Sequence, residues 1–253
     1  MCFDHDSRPP IAPIAGGSLD AREIALAAAD GSRFAAYVAR AAEPTGAGIV
    51  ILPDVRGLHA YYRELAQRFA EHGVDAIAID YFGRTAGIGD RGPGFEWQAH
   101  VPQTTYGGLR ADVAAAAEHL RATAGPERLF ATGFCMGGRL TFLTAGFGLD
   151  LAGVIGFYGW PTGPSSNGTP TPAEVAGSFA CPVLAIFGGA DEGIGPEAVA
   201  AFETALAAAG VPHRVTTYAD APHSFFDRKA ADFADASARA WDEVTGFIRT
   251  GTP

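Results

Sequence analysis

The chain has no basic run, no apolar stretch of membrane-spanning length, no paired cysteine spacing and no glycine-rich phosphate cradle, and each absence removes a class of function. Acidic residues outnumber basic ones by 28 to 18 and the formal charge is −10, so no track of Lys and Arg is offered to phosphates and nucleic acid is not an expected partner. The same excess of acid repels an anionic substrate at long range, which means that such a substrate needs a local arginine pocket. The three cysteines, Cys2, Cys135 and Cys181, are odd in number and lack zinc-type or Cys-x-x-Cys spacing. This argues against a disulfide framework and for a reducing cytoplasm. The segment Met1 to Asp6 lacks a basic start followed by an apolar stretch, so the expectation is a soluble, unexported chain with no membrane contact. Without a phosphate-cradling loop, no cofactor is expected. Asn167-Gly168-Thr169 matches a glycosylation acceptor, but in an unexported chain it reads only as loop.

Hydrophobic residues make up 48% and charged residues 18%, the composition of a well-buried globule. No linker or internal repeat divides the sequence. Residues 1–20, rich in Pro, Gly and Asp, read as an extended arm, and residues 21–253 as a single α/β domain. Cys2 and His5 share the spacing of a metal-ligand pair but fall in that arm and are read as loose chain. Segments 22–29 and 33–40, split by Asp30-Gly31, predict an antiparallel hairpin. Ile49 to Leu52, Val74 to Ile79, Leu129 to Thr132, Val154 to Phe157 and Val183 to Phe187 are short apolar runs suited to parallel strands buried on both faces, and His213 to Tyr218 adds another. Helical spacing at 60–72, 107–123, 137–147, 196–209 and 230–249 alternates with them, which predicts a mostly parallel sheet of about seven to eight strands with helices on both faces. The stretch from Tyr81 to Tyr106 holds five glycines and two prolines and is too long for a plain connection.

The strongest chemical signal is Gly133-Phe134-Cys135-Met136-Gly137, between a predicted strand and a predicted helix, as in a nucleophile elbow with Cys in place of Ser. The helix start favours a thiolate over a free thiol of pKa about 8.5. The plain alternative is a buried cysteine in a glycine-rich turn. Two later sites follow the order nucleophile, acid, base. Asp191 comes 56 residues after Cys135, just past an apolar run, and His223 comes 32 residues after that, before the last helix. Taken singly, Asp191 also reads as a helix N-cap and His223 as a surface residue. Asp220 and Asp227 are nearer to His223 in sequence, but neither ends the penultimate strand. Backbone N–H groups of Val55 and Met136 are the expected oxyanion donors, on topology alone. Trp97, His100 and Tyr106 would form an aromatic pocket wall if they point inward; the alternative is that they pack the loop onto the core. Cys181, before Pro182 at a strand start, reads as core.

These residues resemble the dienelactone hydrolase family, the carboxymethylenebutenolidases. The likeness rests on Gly133-Phe134-Cys135-Met136-Gly137-Gly138, Phe187-Gly188-Gly189-Ala190-Asp191, Pro222-His223-Ser224-Phe225 and Asp80-Tyr81-Phe82-Gly83-Arg84. The resemblance implies an α/β-hydrolase fold and a Cys–His–Asp triad that cleaves a small ester or lactone, carboxylate-bearing in the family's type substrate, through a thioester acyl-enzyme. It also implies a glutamate that holds the resting thiol. Asp54 stands at that position, one methylene shorter. Arginines for a substrate carboxylate are implied as well, with Arg228, one position displaced, and either Arg84 or Arg91 as candidates. A broader carboxylesterase for short neutral esters is the alternative. A redox-responsive thiol protein, with Cys2 or Cys181 resolving Cys135, and a binding protein on a hydrolase scaffold are more distant ones. Oligomeric state is not legible.

Overall fold

Short apolar runs bounded by glycine, proline and aspartate become the strands of one mixed sheet. The structure, a computed structural model, describes residues 6–253, with backbone only at Leu19, so Cys2 and His5 lie outside the described residues. The strands are β1 (Ser18–Ala27), β2 (Arg33–Ala41), β3 (Ala47–Leu52), β4 (Val74–Ile79), β5 (Arg128–Phe134), β6 (Gly153–Phe157), β7 (Val183–Gly188) and β8 (His213–Tyr218). Their order across the sheet is β1-β2-β4-β3-β5-β6-β7-β8. β2 pairs antiparallel with β1 and β4, and every other neighbouring pair is parallel.

The helices are α1 (Ala60–Glu71), the single turns α2 (Gly83–Ala86) and α3 (Trp97–His100), α4 (Tyr106–Thr123), α5 (Met136–Thr144), the single turn α6 (Pro172–Val175), α7 (Pro196–Ala208) and α8 (Ala234–Thr250). β3, β4 and β7 are buried at every residue, which requires cover on both faces. On β6, Gly153 leaves room for Phe247 of α8 and Gly156 for Phe142 of α5. Residues an odd number apart on a strand face opposite ways, so α8 and α5 lie on opposite sides of the sheet. α1 joins α8 through Phe69 and Trp241, with ring centroids 4.9 Å apart, and α7 joins α5 through Phe202 and Phe142 at the same separation. No helix among the described residues is long and apolar enough to cross a membrane.

The starts of the first strand and of the last helix differ from the sequence expectation. The first strand begins at Ser18 because pairing with β2 continues past an irregularity between Ser18 and Asp20. The described part of the arm is tied to α1: the Ile14 N–H donates to Glu71 Oε2 at 2.8 Å, Arg8 pairs with Glu64, and Pro9 is buried. The last helix starts at Ala234 because the Ser224 carbonyl accepts from the Asp227 and Lys229 amides, folding residues 224–233 into turns.

Candidate active site

A parallel sheet delivers the carboxyl ends of its strands to one edge, and the loops after β3, β5, β6, β7 and β8 stand side by side there. Cys135 occupies the single residue between β5 and α5, with φ 57° and ψ −119°. A non-glycine residue in this region carries strain on the order of 1–3 kcal/mol, which its surroundings must hold. The Cys135 N–H donates to the Phe157 carbonyl at 3.0 Å, and its own carbonyl accepts from the Arg139 amide at 3.1 Å. Both flanking glycines are sterically required: a Cβ at Gly133 would lie 2.3 Å from the Gly137 oxygen, and one at Gly137 would lie 2.1 Å from the Pro53 oxygen. The turn therefore places a thiol at the amino end of a nine-residue helix, where the dipole favours a thiolate.

Asp191 and His223 meet although 32 residues separate them. The His223 Nδ1 lies 2.7 Å from Asp191 Oδ2. Asp191 is buried, and its Oδ1 accepts from the amides of Gly193 (2.8 Å) and Ile194 (3.2 Å), which fixes the orientation of the carboxylate. A carboxylate at Nδ1 selects the tautomer protonated there and leaves Nε2 as the basic nitrogen. The loops are joined by backbone bonds as well, from Gly189 to Tyr218 (2.8 Å) and from Ala190 to Ala221 (3.0 Å). Four described non-glycine residues have positive φ; Cys135, Tyr158 and Ser224 are at this edge, and only Asp150 is elsewhere. Ser224 directly follows His223, so the backbone is strained beside both the thiol and the imidazole. Asp227, the carboxylate closer in sequence, accepts from the Tyr158 hydroxyl at 2.7 Å.

Val55 lies three residues past β3, and Met136 is the first residue of α5, where an N–H has no intrahelical acceptor. Two tyrosines pin the β3 turn. The Tyr62 hydroxyl accepts from the Asp54 N–H at 2.9 Å, and the Tyr81 hydroxyl bonds the Pro53 carbonyl at 2.8 Å and the Asp54 carbonyl. Asp54 is fully buried; its Oδ1 accepts from the Arg56 N–H at 2.8 Å and stands 4.0 Å from His59 Nε2.

Two arginine candidates are committed elsewhere. Arg84 forks onto buried Asp112, with Nε at 3.0 Å and Nη2 at 2.8 Å, and reaches Asp30 at 2.5 Å, so it ties α2 to α4 and to the β1–β2 turn. Arg91 is buried, bonds Asp80 at 2.7 Å and stacks on Phe95. Burial raises the Asp80 pKa and Arg91 offsets this. In both cases an internal carboxylate takes the fork that a substrate would need. Arg228 is half-buried and, among the described residues, its guanidinium pairs with no acidic side chain; its Nε is shielded from water without an acceptor. Tyr106 packs edge-on against Phe147 at 5.3 Å and His100 stacks on Phe95 at 5.2 Å, so both hold the loop to the core. Trp97 is half-buried and lines a shallow cleft of about 420 Å³ with Arg56 and residues 92–96.

The family model for the dienelactone hydrolase family matches residues 34–251. The chain belongs to the dienelactone hydrolase family. A candidate carboxymethylenebutenolidase of Salmonella typhimurium is 30% identical over 93% of this chain and 92% of that protein. The carboxymethylenebutenolidase of Rhodococcus opacus is 30% identical over 73% of each. Among solved structures, a candidate dienelactone hydrolase from Klebsiella pneumoniae superposes with a TM-score of 0.74 at 26% identity, covering 90% of this chain and 99% of the other. An acylaminoacyl peptidase of Pyrococcus horikoshii, at 14% identity over 93% of this chain and 42% of its own, has a TM-score of 0.73 and shares the α/β-hydrolase fold alone. The protein is thus an α/β-hydrolase of a family that acts on ester bonds.

Part of the candidate site comes from residues with no sequence signature. The loop after β6 lays Tyr158 and Trp160 against the His223 ring, with centroids 4.8 and 4.9 Å away, and the Trp160 indole donates to the Gly193 carbonyl at 2.9 Å. Buried Arg139 of α5 donates to the carbonyls of Trp160 (3.2 Å), Gly163 (3.1 Å) and Pro170 (3.3 Å), gathering that loop around one guanidinium whose pKa burial lowers.

Proposed function

We propose that this chain hydrolyses small esters or lactones through a thioester formed on Cys135. The observation that carries the reading is the 2.7 Å contact between His223 and Asp191, set on the same sheet edge as a cysteine held at positive φ. The thiolate attacks the substrate carbonyl carbon. The resulting oxyanion faces the amides of Val55 and Met136, pre-aligned donors that gain most when charge develops. Collapse breaks the C–O bond, and the imidazolium of His223 gives its proton to the departing alkoxide, which in a lactone stays attached to the acyl group. His223 then takes a proton from water, the hydroxide attacks the thioester and the thiolate leaves. Asp191 keeps the imidazole in the required tautomer and offsets its positive charge.

Arg228 supports a carboxylate-bearing substrate, because it is the arginine of the three candidates without an internal acid. A neutral short ester is the second reading, favoured by the formal charge of −10 and by the loss of Arg84 and Arg91 to internal pairs. A redox role gains no support from Cys181, which precedes β7 and so lies at the opposite end of the sheet from Cys135. Among the described residues Cys135 and Cys181 are free thiols; the protein is read as cytoplasmic and residues 21–253 as its single α/β-hydrolase domain.

Initial rates on a carboxylate-bearing dienelactone beside a neutral ester of similar reactivity, with Cys135→Ala as the blank, test this function. Preference for the anion supports the narrow reading and preference for the neutral ester the broad one. No Cys135-dependent rate on either removes both.

A further inference from the structure

Tyr158 and Asp227 form a buried unit that the mechanism above leaves unused. Tyr158 is the first residue after β6, completely buried, at φ 36°, with its amide donating to the Ile186 carbonyl at 2.7 Å. Its ring lies 4.8 Å from the His223 ring at an interplanar angle of 56°. Its hydroxyl donates to Asp227 Oδ2 at 2.7 Å, and Asp227 Oδ1 accepts the amide of Arg228. Burial first, and the Asp227 charge second, hold the phenol well above its ordinary range, so it stays a donor.

We propose that Tyr158 and Asp227 are a positioning pair for His223, holding the imidazole in the plane in which Nδ1 reaches Asp191 and fixing the Arg228 segment to the same carboxylate. The strained backbone supports this. A tyrosine at positive φ persists only where its surroundings over-determine it, and here the amide, the ring and the hydroxyl are each engaged. Asp191 constrains the imidazole along its edge; Tyr158 constrains its face. The inference rests on His223 as the base.

Its test uses a neutral aryl ester, so that anion binding by Arg228 does not enter, and compares kcat, KM, pH profile and melting temperature across variants. Tyr158→Phe and Asp227→Ala are each expected to lower kcat by roughly tenfold with KM little changed, and the double variant to lower it no further than the worse single, as for residues acting as one unit. Asp227→Asn keeps the shape, with its oxygen accepting the Arg228 amide and its NH2 donating to the phenol oxygen, so the pair persists with that bond reversed and kcat is expected to stay within about threefold. Full kcat in Tyr158→Phe overturns the pairing. So do multiplicative losses in the double variant, or an Asp227→Asn enzyme as impaired as Asp227→Ala. Should Asp227→Ala fail to fold, Tyr158→Phe and Asp227→Asn decide the matter between them. His223→Ala separates the two claims: activity retained there removes the base assignment together with the pair, whereas a dead His223→Ala enzyme beside a fully active Tyr158→Phe enzyme removes the pair alone.

Discussion

The Nδ1 atom of His223 lies 2.7 Å from Oδ2 of Asp191, whose other oxygen is held by the amides of Gly193 and Ile194. The carboxylate is held by those amides independently of the imidazole, so it dictates which nitrogen of the ring bears the proton. Asp191→Asn keeps the shape and the two backbone bonds but stabilises the opposite tautomer. Its kcat is expected to fall by about 10³ to 10⁴ at neutral pH with an unchanged melting temperature. A variant within tenfold of the parent would show that another group orients His223.

The close approach at Gly137 gives a prediction on the fold. Gly137→Ala drives a methyl group to 2.1 Å from the Pro53 oxygen and 2.2 Å from the Leu52 oxygen, both backbone atoms that cannot rotate aside. The elbow and the β3 turn bearing Val55 must separate, at a cost of at least about 1–3 kcal/mol. A lowered melting temperature and a loss of rate are expected together; a stable, active Gly137→Ala protein would contradict the packing described.

The motifs that were legible in the sequence are those the backbone itself enforces. Gly133 and Gly137 mark the elbow because no side chain fits there, and Gly188-Gly189 mark the β7 exit because the Ala219 and Ala221 carbonyls press against them. The alternation of buried runs and helices gave the sheet for the same reason. What stayed illegible depends on pairs distant in sequence. Arg84 looks like a free cation until Asp112 and Asp30 are brought to it, and Arg91 until Asp80 is. Tyr158 and Trp160 lie on a loop without a repeating pattern, and only the fold shows that they meet the His223 ring while Arg139 gathers the loop behind them.

The arginines separate by experiment. Arg84→Ala leaves Asp112 buried without its fork, an expected loss of about 3–5 kcal/mol, with little change in KM for any substrate that the remaining enzyme turns over. Arg228→Gln is expected to do the reverse, raising KM for a carboxylate-bearing substrate by about tenfold or more while the melting temperature and the neutral-ester rate hold. The opposite pattern would return Arg84 to the substrate site.

Cys181 provides a pH signature. Burial pushes its thiol from an ordinary 9.0 up to about 12. The native state therefore holds a proton that the unfolded chain releases first, so the contribution of this group is complete below pH 9 and is lost as pH rises towards 12. Cys181→Ala, measured by urea unfolding across that window, is expected to show a shallower fall in stability than the parent, by a few kcal/mol at most. Parallel curves would mean that the thiol ionises alike in both states.

A covalent thioester on Cys135 is open to detection by intact mass, measured after acid quench of the enzyme with a fast-acylating aryl ester. The expected result is a mass increase equal to the acyl group, mapped to Cys135, removed by hydroxylamine and absent in Cys135→Ala. Turnover with no adduct at any quench time, together with a Cys135→Ala enzyme that keeps its rate, would contradict it.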